Sequence, residues 1–365
     1  MRIALVQDHL RLGGTERQTV ELANSFSRLG HKVLALTFRL GGRLDGDFLP
    51  AVRRVSLQPR DWHLDWFAPR LVHTLRLFAP DLIQPMGRMA NAHGWRLIHA
   101  LPQVPLIATF RTGKSIPYFY AATLRRAAVV IANSEFAGRI VSTTYGVPPA
   151  HIRVIRNGVV TRPRPPEPDA RRMVRAQIGT APDAVVLLCV AMMRRGKGHR
   201  NLIEIAATLD RSLPCELWLA GGGTERTACE ALARQRGIAD RVRFLGERPD
   251  TNQLYASADL AVLASHTESL PNFLVEAQWS GLPVVAWDVA GVRETFVPGE
   301  SGFLVPDLDR SGFVAAVHEL ASDASLRSSM SKAANTHARR EFDPERQNAR
   351  FLDVYAAMMK SRPST

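Results

Sequence analysis

Cysteine is too scarce in this chain to staple a fold or to hold a metal. Cys189, Cys215 and Cys229 are the only three among 365 residues, an odd number without metal-ligand spacing, and two of them fall in apolar, strand-like runs. They read as buried thiols of a reducing cytoplasm. Long hydrophobic runs are missing as well. The longest, such as residues 184–193, extend about ten residues, half of the ~20 that a membrane-crossing helix requires, so no transmembrane helix is expected. The opening MRIALVQDHLRLGG turns polar after a few apolar positions and shows neither the h-region nor the cleavage site of a signal peptide. It is expected to be mature sequence and to form a first strand.

What the chain has is length, apolar content and positive charge. With 365 residues, 46% of them hydrophobic, it can bury two cores of ordinary domain size. Charge is unevenly placed. Residues 1–165 hold 23 Lys and Arg against 9 Asp and Glu, a net of +14, which leaves −1 of the overall +13 for residues 166–365. Such an excess points to an anionic partner on the first half: nucleic acid, a membrane surface or an acidic substrate. Nucleic acid is not expected, because interleaved strand aromatics, a recognition-helix motif and zinc spacing are all absent.

Short β-rich runs alternate with helical patterns almost throughout. Residues 2–7 and 32–38 read as strands around a helix over 15–29, followed by strands at 81–86, 105–110, 129–134 and 152–157. Strands separated by helices imply βαβ units in a parallel sheet. Residues 161–169 then hold four prolines in nine positions, which sustain neither helix nor central strand and mark a linker. The alternation restarts at 185–191, 216–220, 242–246, 260–264, 283–287 and 303–305. The expectation is an α/β protein of two doubly wound, Rossmann-like domains, 1–165 and 166–340, with ligands where strand C-termini face a cleft between them. Residues 341–365 are expected to supply a helix, amphipathic over 345–360, that closes the second domain or crosses back to the first.

The segment TESLPNFLVEAQWSGLPVVA, residues 267–286, puts two carboxylates, Glu268 and Glu276, into otherwise core-like sequence. Pro271 suits a first helical turn and not an interior, so Glu268 belongs to a loop and Glu276 to a helix starting near Leu270. The N–H groups of Asn272 and Phe273 then point out of the helix N-terminus, where they suit a phosphate. A ligand with hydroxyls at both ends and a phosphate between fits this arrangement, and a nucleotide sugar has that shape. Matching cations follow the strand at 185–191. Arg194 and Lys197 sit three apart around a glycine, able to aim both at a diphosphate. After the first strand, Gly13 and Gly14 allow close backbone approach to an anion and precede a helix with Thr15 as its expected N-cap. Their spacing is not that of the dinucleotide fingerprint G-x-G-x-x-G. Asp45-Gly-Asp47 and Asp307-Leu-Asp309 carry the letters of a metal-binding Asp-x-Asp but read as turns. No catalytic metal and no cofactor are expected.

In order along the chain, Gly13-Gly14, Asn133-Ser134-Glu135, Asn157-Gly158, Arg194 with Lys197-Gly198, Leu219-Ala-Gly-Gly-Gly223 and the Glu268 and Glu276 pair resemble glycosyltransferase family 4, retaining enzymes of the GT-B fold. The resemblance covers nearly the whole chain and is strongest over 185–306. It implies that Glu276 binds the ribose hydroxyls, that Glu268 binds the donor sugar, and that Arg194 and Lys197 neutralise the leaving diphosphate. Gly13 and Gly14 would bring N–H groups to the phosphates and reacting centre, with Asn272, Phe273 and Gly222 completing the donor site. Attack from the front face, with the departing phosphate taking the acceptor proton, removes the need for a protein nucleophile. Fixed cations and a helix terminus then meet the charge that develops on the leaving group. Many members carry a histidine after the fourth or fifth strand of the first domain. Here that stretch reads ATFRTG, residues 108–113, and Arg111 stands in its place. An arginine cannot serve as a base at neutral pH, but it suits an anionic acceptor or a sugar carboxylate.

The expected function is a cytoplasmic, metal-independent retaining hexosyltransferase using a UDP- or GDP-sugar and a glycan or lipid-linked acceptor in cell-envelope polysaccharide biosynthesis. A sugar-nucleotide epimerase of the same fold is the alternative, although its chemistry needs an acid–base set that the sequence does not display. A basic nucleic-acid binder is the third reading. Residues 60–78 add Trp62, Trp66 and Phe67 ahead of Arg70 and Arg76, side chains that together favour a lipid interface. Leu71, Leu75 and Phe78 read instead as the buried face of a helix. Peripheral attachment of residues 1–165 to an anionic membrane is therefore expected.

Overall fold

The computed structural model describes residues 1–112, 115–160 and 169–360. Gly113 and the expected linker, apart from Asp169, lie outside the described residues. The chain divides into two compact units, Met1–Val160 with Pro344–Thr365, and Thr161–Asp343. The boundaries fall short of 165 and just past 340, and the C-terminal segment takes the second of its two expected courses, joining the first unit.

In the first unit the chain runs β1 (Arg2–Gln7), α1 (Gly14–Arg28), β2 (Lys32–Thr37), β3 (Arg53–Ser56), α2 (Leu71–Phe78), β4 (Leu82–Pro85), α3 (Arg88–Ala100), β5 (Ile107–Phe110), α4 (Tyr118–Arg126), β6 (Val129–Ala132), α5 (Glu135–Thr143) and β7 (Ile152–Val154). All strand pairs are parallel, in the orders β3-β2-β1-β4 and β5-β6-β7, and a bridge between Ile83 and Leu106 joins the two sheets. Successive residues of a strand face opposite sides, and here both sides are covered. Ala4, Val6, Leu34 and Leu36 pack with Leu71, Leu75 and Phe78 of α2 and Leu97 of α3. Ile3, Leu5, Val33 and Ala35 pack with Leu22 and Phe26 of α1. Burial on both faces explains why these strands read as continuous apolar runs.

One start differs from expectation. The cap of α1 is Gly13 and not Thr15, which lies inside the first turn. A Cβ on Gly13 would sit 2.2 Å from Glu16 Oε2, so the Glu16 carboxylate fills the space that a capping side chain would need. Residues 60–70 are not helical, and α2 begins only at Leu71. Arg39, which is buried, pins this loop by donating to Asp61 through Nε and Nη2 at 2.7 and 2.8 Å and to Asp65 through Nη1 at 2.8 Å. Trp62 and Trp66 stand exposed on it, whereas Leu71, Leu75 and Phe78 are buried.

The second unit runs α6 (Ala170–Ile178), β8 (Val185–Val190), α7 (His199–Thr208), β9 (Cys215–Ala220), α8 (Arg226–Gln235), β10 (Val242–Gly246), α9 (Thr251–Ser257), β11 (Leu260–Leu263), α10 (Asn272–Trp279), β12 (Val284–Trp287), β13 (Gly302–Val305), α11 (Arg310–Ser322) and α12 (Ala324–Glu341). Its six parallel strands are ordered β10-β9-β8-β11-β12-β13, the doubly wound order in which the fourth strand lies beside the first. One core, including Leu188, Trp218, Val262, Val285 and Phe313, fills both faces. Asp309 caps α11 by accepting from the Gly312 N–H at 2.9 Å, and Asp45 to Asp47 form a single 3-10 turn.

The last helix, α13 (Pro344–Lys360), packs on the first unit. Phe351 and Tyr355 are fully buried, with ring centroids 6.4 and 5.5 Å from that of Phe26. Three polar contacts lie beneath α13: the Tyr355 hydroxyl donates to Gln84 Oε1, Gln347 Nε2 to Gln18 Oε1 at 3.0 Å, and Gln18 Nε2 to the Gly158 carbonyl at 2.6 Å. A Cβ on Gly158 would lie 2.7 Å from Pro344 Cα, so glycine is needed where α13 begins. No helix among the described residues is long and apolar enough to cross a membrane.

Phe351→Ala should cost about 3–5 kcal/mol, the range for emptying a buried aromatic site. Hydrogen exchange should show lost protection in β1 and β2 and unchanged protection in β8 and β9. Equal loss in all four strands would mean that α13 does not belong to the first unit's core.

Candidate functional site

Strand order brings the candidate residues of the second unit together. Because β8 and β11 are neighbours, the loops that leave their C-terminal ends, residues 191–198 and 264–271, run side by side. Gly198, at φ +73°, makes that approach possible, since a Cβ there would stand 1.8 Å from the Ala264 carbonyl oxygen. The His266 N–H donates to the Gly196 carbonyl at 3.0 Å and ties the loops further. Lys197 Nζ then reaches both oxygens of Glu268, at 2.7 and 2.9 Å. Glu268 is nearly buried and Lys197 is 21% exposed. A cation and a carboxylate seventy-one positions apart thus form one unit at the carboxyl edge of the sheet.

Glu276 lies one helix away. Pro271 occupies the N-cap position, so α10 begins at Asn272, two residues later than expected, with Phe273 next to it. Glu276 is buried at the centre of this helix and accepts from the Tyr255 hydroxyl at 2.8 Å. The Tyr255 ring is stacked on Phe273, with centroids 6.2 Å apart. Sequence reasoning missed Tyr255, because nothing local marks a tyrosine on α9 as the partner of a glutamate on α10. The glycine turn after β9 braces the 191–198 loop: the Met193 N–H donates to the Gly222 carbonyl at 2.7 Å, and a Cβ on Gly221 would lie 2.0 Å from the Ala191 carbonyl oxygen.

Arg194 does not join Lys197. The Lys197 N–H closes a turn onto the Arg194 carbonyl at 3.2 Å, with Gly196 at φ +85°, and the two side chains part. Arg194 lines a pocket of about 290 Å³ together with Arg195, Arg200, Asn201, Glu225 and His266, a lining that excludes Lys197, Glu268 and Glu276. Within it Glu225 takes the Arg200 guanidinium at 3.0 Å. The two cations were expected to aim at one diphosphate. In the structure Arg194 lines that pocket and Lys197 holds Glu268.

In the first unit β1 and β4 are the neighbours, and the same geometry places Asp8 at the start of α3. Its carboxylate accepts from the N–H groups of Met89 and Ala90 at 2.9 and 2.6 Å. Burial nevertheless raises its pKa to about 6 against the opposing pull of those bonds. Glu16, beside Gly13 and Gly14, is raised by burial to about 7. The paired glycines therefore sit among two carboxylates that ionise reluctantly, a feature that their spacing alone did not reveal. Arg111 follows β5 and donates through Nη1 to Asn157 Oδ1 at 2.8 Å. His93 and His99, in α3, meet the carbonyl oxygens of Trp66 and Trp95 at 2.7 and 2.8 Å.

Comparison with known proteins agrees with this architecture. The family model Glycosyltransferase Family 4 matches residues 12–162, and Glycosyl transferases group 1 matches residues 171–337. The chain is similar to the D-inositol 3-phosphate glycosyltransferase 2 of Catenulispora acidiphila, 32% identical with 94% of this chain and 90% of that protein covered. It is also 32% identical to the lipopolysaccharide core biosynthesis glycosyltransferase LpsE of Rhizobium meliloti, over 52% of this chain and only 54% of that protein, so the match spans about half of that relative. Among solved structures, Anabaena HepE in complex with UDP-glucose superposes with a TM-score of 0.83 at 23% identity, covering 98% of this chain and all of the other. WaaG, a glycosyltransferase involved in lipopolysaccharide biosynthesis, does so with 0.78 at 19%, covering 97% and 99%. The fold is GT-B, with two Rossmann-like domains.

A double-mutant cycle probes the central ion pair. Lys197→Met should cost about 2–3 kcal/mol, less than the ~3–5 kcal/mol of a fully buried pair because water reaches the ammonium. Lys197→Met with Glu268→Gln should cost less than Lys197→Met alone, since no carboxylate is then left unpaired. Additive losses in denaturant unfolding would show that the pair is not coupled.

Proposed function

The chain belongs to glycosyltransferase family 4, and from that premise we propose that it is a retaining, metal-independent hexosyltransferase acting on a nucleoside-diphosphate sugar and a glycan or lipid-linked acceptor of the cell envelope. The observation that carries this reading is the pairing of Lys197 with Glu268 beside buried Glu276, all at the carboxyl edge of the second sheet. HepE, of like fold, holds UDP-glucose, and LpsE is named for lipopolysaccharide core biosynthesis. A UDP-sugar and an envelope glycan are the substrates that these likenesses favour.

The roles follow from charge and position. Glu276, held by Tyr255, takes the two ribose hydroxyls, which suit the acceptor oxygens of a carboxylate. The first turn of α10, at Asn272 and Phe273, and the backbone at Gly222 meet phosphate oxygens, and in the first unit the backbone at Gly13 and Gly14 suits an anion. Lys197, fixed by Glu268, presents its ammonium to the β-phosphate, while Glu268 takes sugar hydroxyls. As the bond from the anomeric carbon to the phosphate oxygen breaks, charge gathers on that oxygen beside a cation already in place, which lowers the barrier without reorganisation. The acceptor oxygen bonds to the anomeric carbon from the same face, and its proton passes to the departing phosphate. Arg194 acts at the edge of this site, from the neighbouring pocket.

The protein works in the cytoplasm, attached to the inner face of the membrane through its first unit. Trp62, Trp66, Tyr118 and Phe119 are all exposed there, at 44, 57, 74 and 55%, in the half of the sequence that carries the excess of positive charge. Aromatic rings favour the headgroup region, and each basic residue near an anionic surface adds about 1 kcal/mol.

Glu276→Gln should weaken UDP binding roughly ten- to a hundredfold, the ~1.5–3 kcal/mol of a charged hydrogen bond, whereas Glu268→Gln should leave it near the parent value. Turnover should fall in both. Calorimetry in which both variants bind UDP like the parent would remove Glu276 from the site.

Co-sedimentation with vesicles checks the attachment. Binding to anionic vesicles should be strong at low salt, fall as salt rises, and weaken in Trp62→Ala with Trp66→Ala. Equal partitioning onto neutral and anionic vesicles would count against it.

A further inference from the structure

Arg111 carries a guanidinium edge that no described residue uses. It follows β5 at the carboxyl edge of the first unit's sheet. Among the described residues Nη1 alone has a bond, to Asn157 Oδ1, while Nε and Nη2 are buried without a hydrogen-bond partner. Nε and Nη2 form the side of the guanidinium that grips a carboxylate or phosphate with two parallel bonds. Elsewhere this chain uses that side in just this way: Arg39 on Asp61 at 2.7 and 2.8 Å, Arg236 on Glu204 at 2.9 and 2.8 Å, Arg248 on Asp250 at 2.7 and 2.6 Å. Arg175, which is deeply buried, brings Asp259 with it at 2.6 Å.

Arg111 has no such companion. No ion pair joins it to a carboxylate among the described residues, and the groups that bear on its charge are the phenols of Tyr120 and Tyr355. Burial pushes both phenols far above their ordinary pKa, and their hydrogens go to the Thr109 carbonyl, at 2.6 Å, and to Gln84. Neither phenol can neutralise the cation. Burial also draws the guanidinium down to about 10, so it is still charged at neutral pH. Two buried, idle donors on a charged group are costly unless an anion meets them.

The geometry points to an oxyanion subsite centred on Arg111, taking a carboxylate or phosphate group carried by the transferred sugar or by the acceptor. This rests on the transferase reading only for the source of the anion. The recognition itself belongs to the first unit alone.

The test uses the full chain and inorganic phosphate, with UDP present at saturation so that the diphosphate site is filled. Phosphate should raise the melting temperature saturably in the parent. The rise should vanish in Arg111→Met and shrink in Arg111→Lys, which keeps the charge and loses the fork. Without phosphate, Arg111→Met should melt at or above the parent temperature, because a lone buried charge is gone. A parent that shows no saturable rise, or an Arg111→Met variant that keeps it, overturns the subsite. If Arg111→Met fails to fold, Arg111→Lys decides, and an unchanged phosphate response there overturns it equally. The source is read from UDP-glucuronic acid against UDP-glucose. A preference of tenfold or more for the first, lost in Arg111→Met, assigns the anion to the sugar, and no preference with phosphate still bound assigns it to the acceptor. Failure to bind UDP at all would count against the transferase reading, while phosphate titration without UDP still reads Arg111 directly.

Discussion

In each unit the strand that follows the third is laid beside the first, and a parallel sheet in that order leaves two neighbouring loops diverging at its carboxyl edge. Parallel strands lie only ~4.8 Å apart, so whatever those loops carry must either meet or be spaced by packing. In the second unit they meet. Gly198 removes the one Cβ that would keep them apart, and Lys197 closes on Glu268. In the first unit the same constraint sets Asp8, at the end of β1, against the first turn of α3 after β4. A Cβ on Gly87 would stand 2.3 Å from Asp8 Oδ1, so again a glycine makes room for the contact.

Buried charge in this protein is almost always answered by charge. Arg39 holds Asp61 and Asp65, Arg175 holds Asp259, and Lys197 holds Glu268. An ion pair taken from water recovers its desolvation only when geometry is good, and the two-pronged contacts meet that condition. Asp8 and Glu16 follow another course, since burial raises both so that they are reluctant to ionise. Arg111 fits neither pattern. The groups facing its charge are phenols, whose protons are already engaged, and Asn157 accepts from Nη1 alone.

The two units divide the physical work. The second unit is close to neutral in sequence and builds a stiff edge in which glycine turns, a capped helix and an ion pair are fixed before any ligand arrives. Fixed charges of this kind stabilise a departing anion without rearranging. The first unit carries the positive excess and the exposed aromatic rings, and its core is completed by a helix from the far end of the chain. Cutting the chain at the boundary of the second unit would therefore strip Phe351 and Tyr355 from the core of the first.

Much of the architecture is a property of the sequence alone. Alternating apolar runs and helical patterns determine parallel α/β units, because a strand covered on both faces is apolar along its interior, and β8 and the interiors of β1 and β2 show this. Pro271 sets the start of α10 to within two residues, since its ring excludes it from a helix interior. The placement of Glu268 in a loop and Glu276 on a helix follows from that proline. Local pattern could not decide which charges meet. Arg194 and Lys197 are three apart, yet Lys197 is held by Glu268 while Arg194 lines a pocket without it, an outcome that spacing does not encode. Thr15 lost the cap to Gly13 because Glu16 folds back over the helix start. Tyr255 and Glu276, on different helices, and Arg111 and Asn157, after different strands, meet only once the strands are ordered. Periodicity is a one-dimensional signal and reports which face of an element is buried. The partner across that face is set by strand order and long-range packing, which exist only in the folded chain.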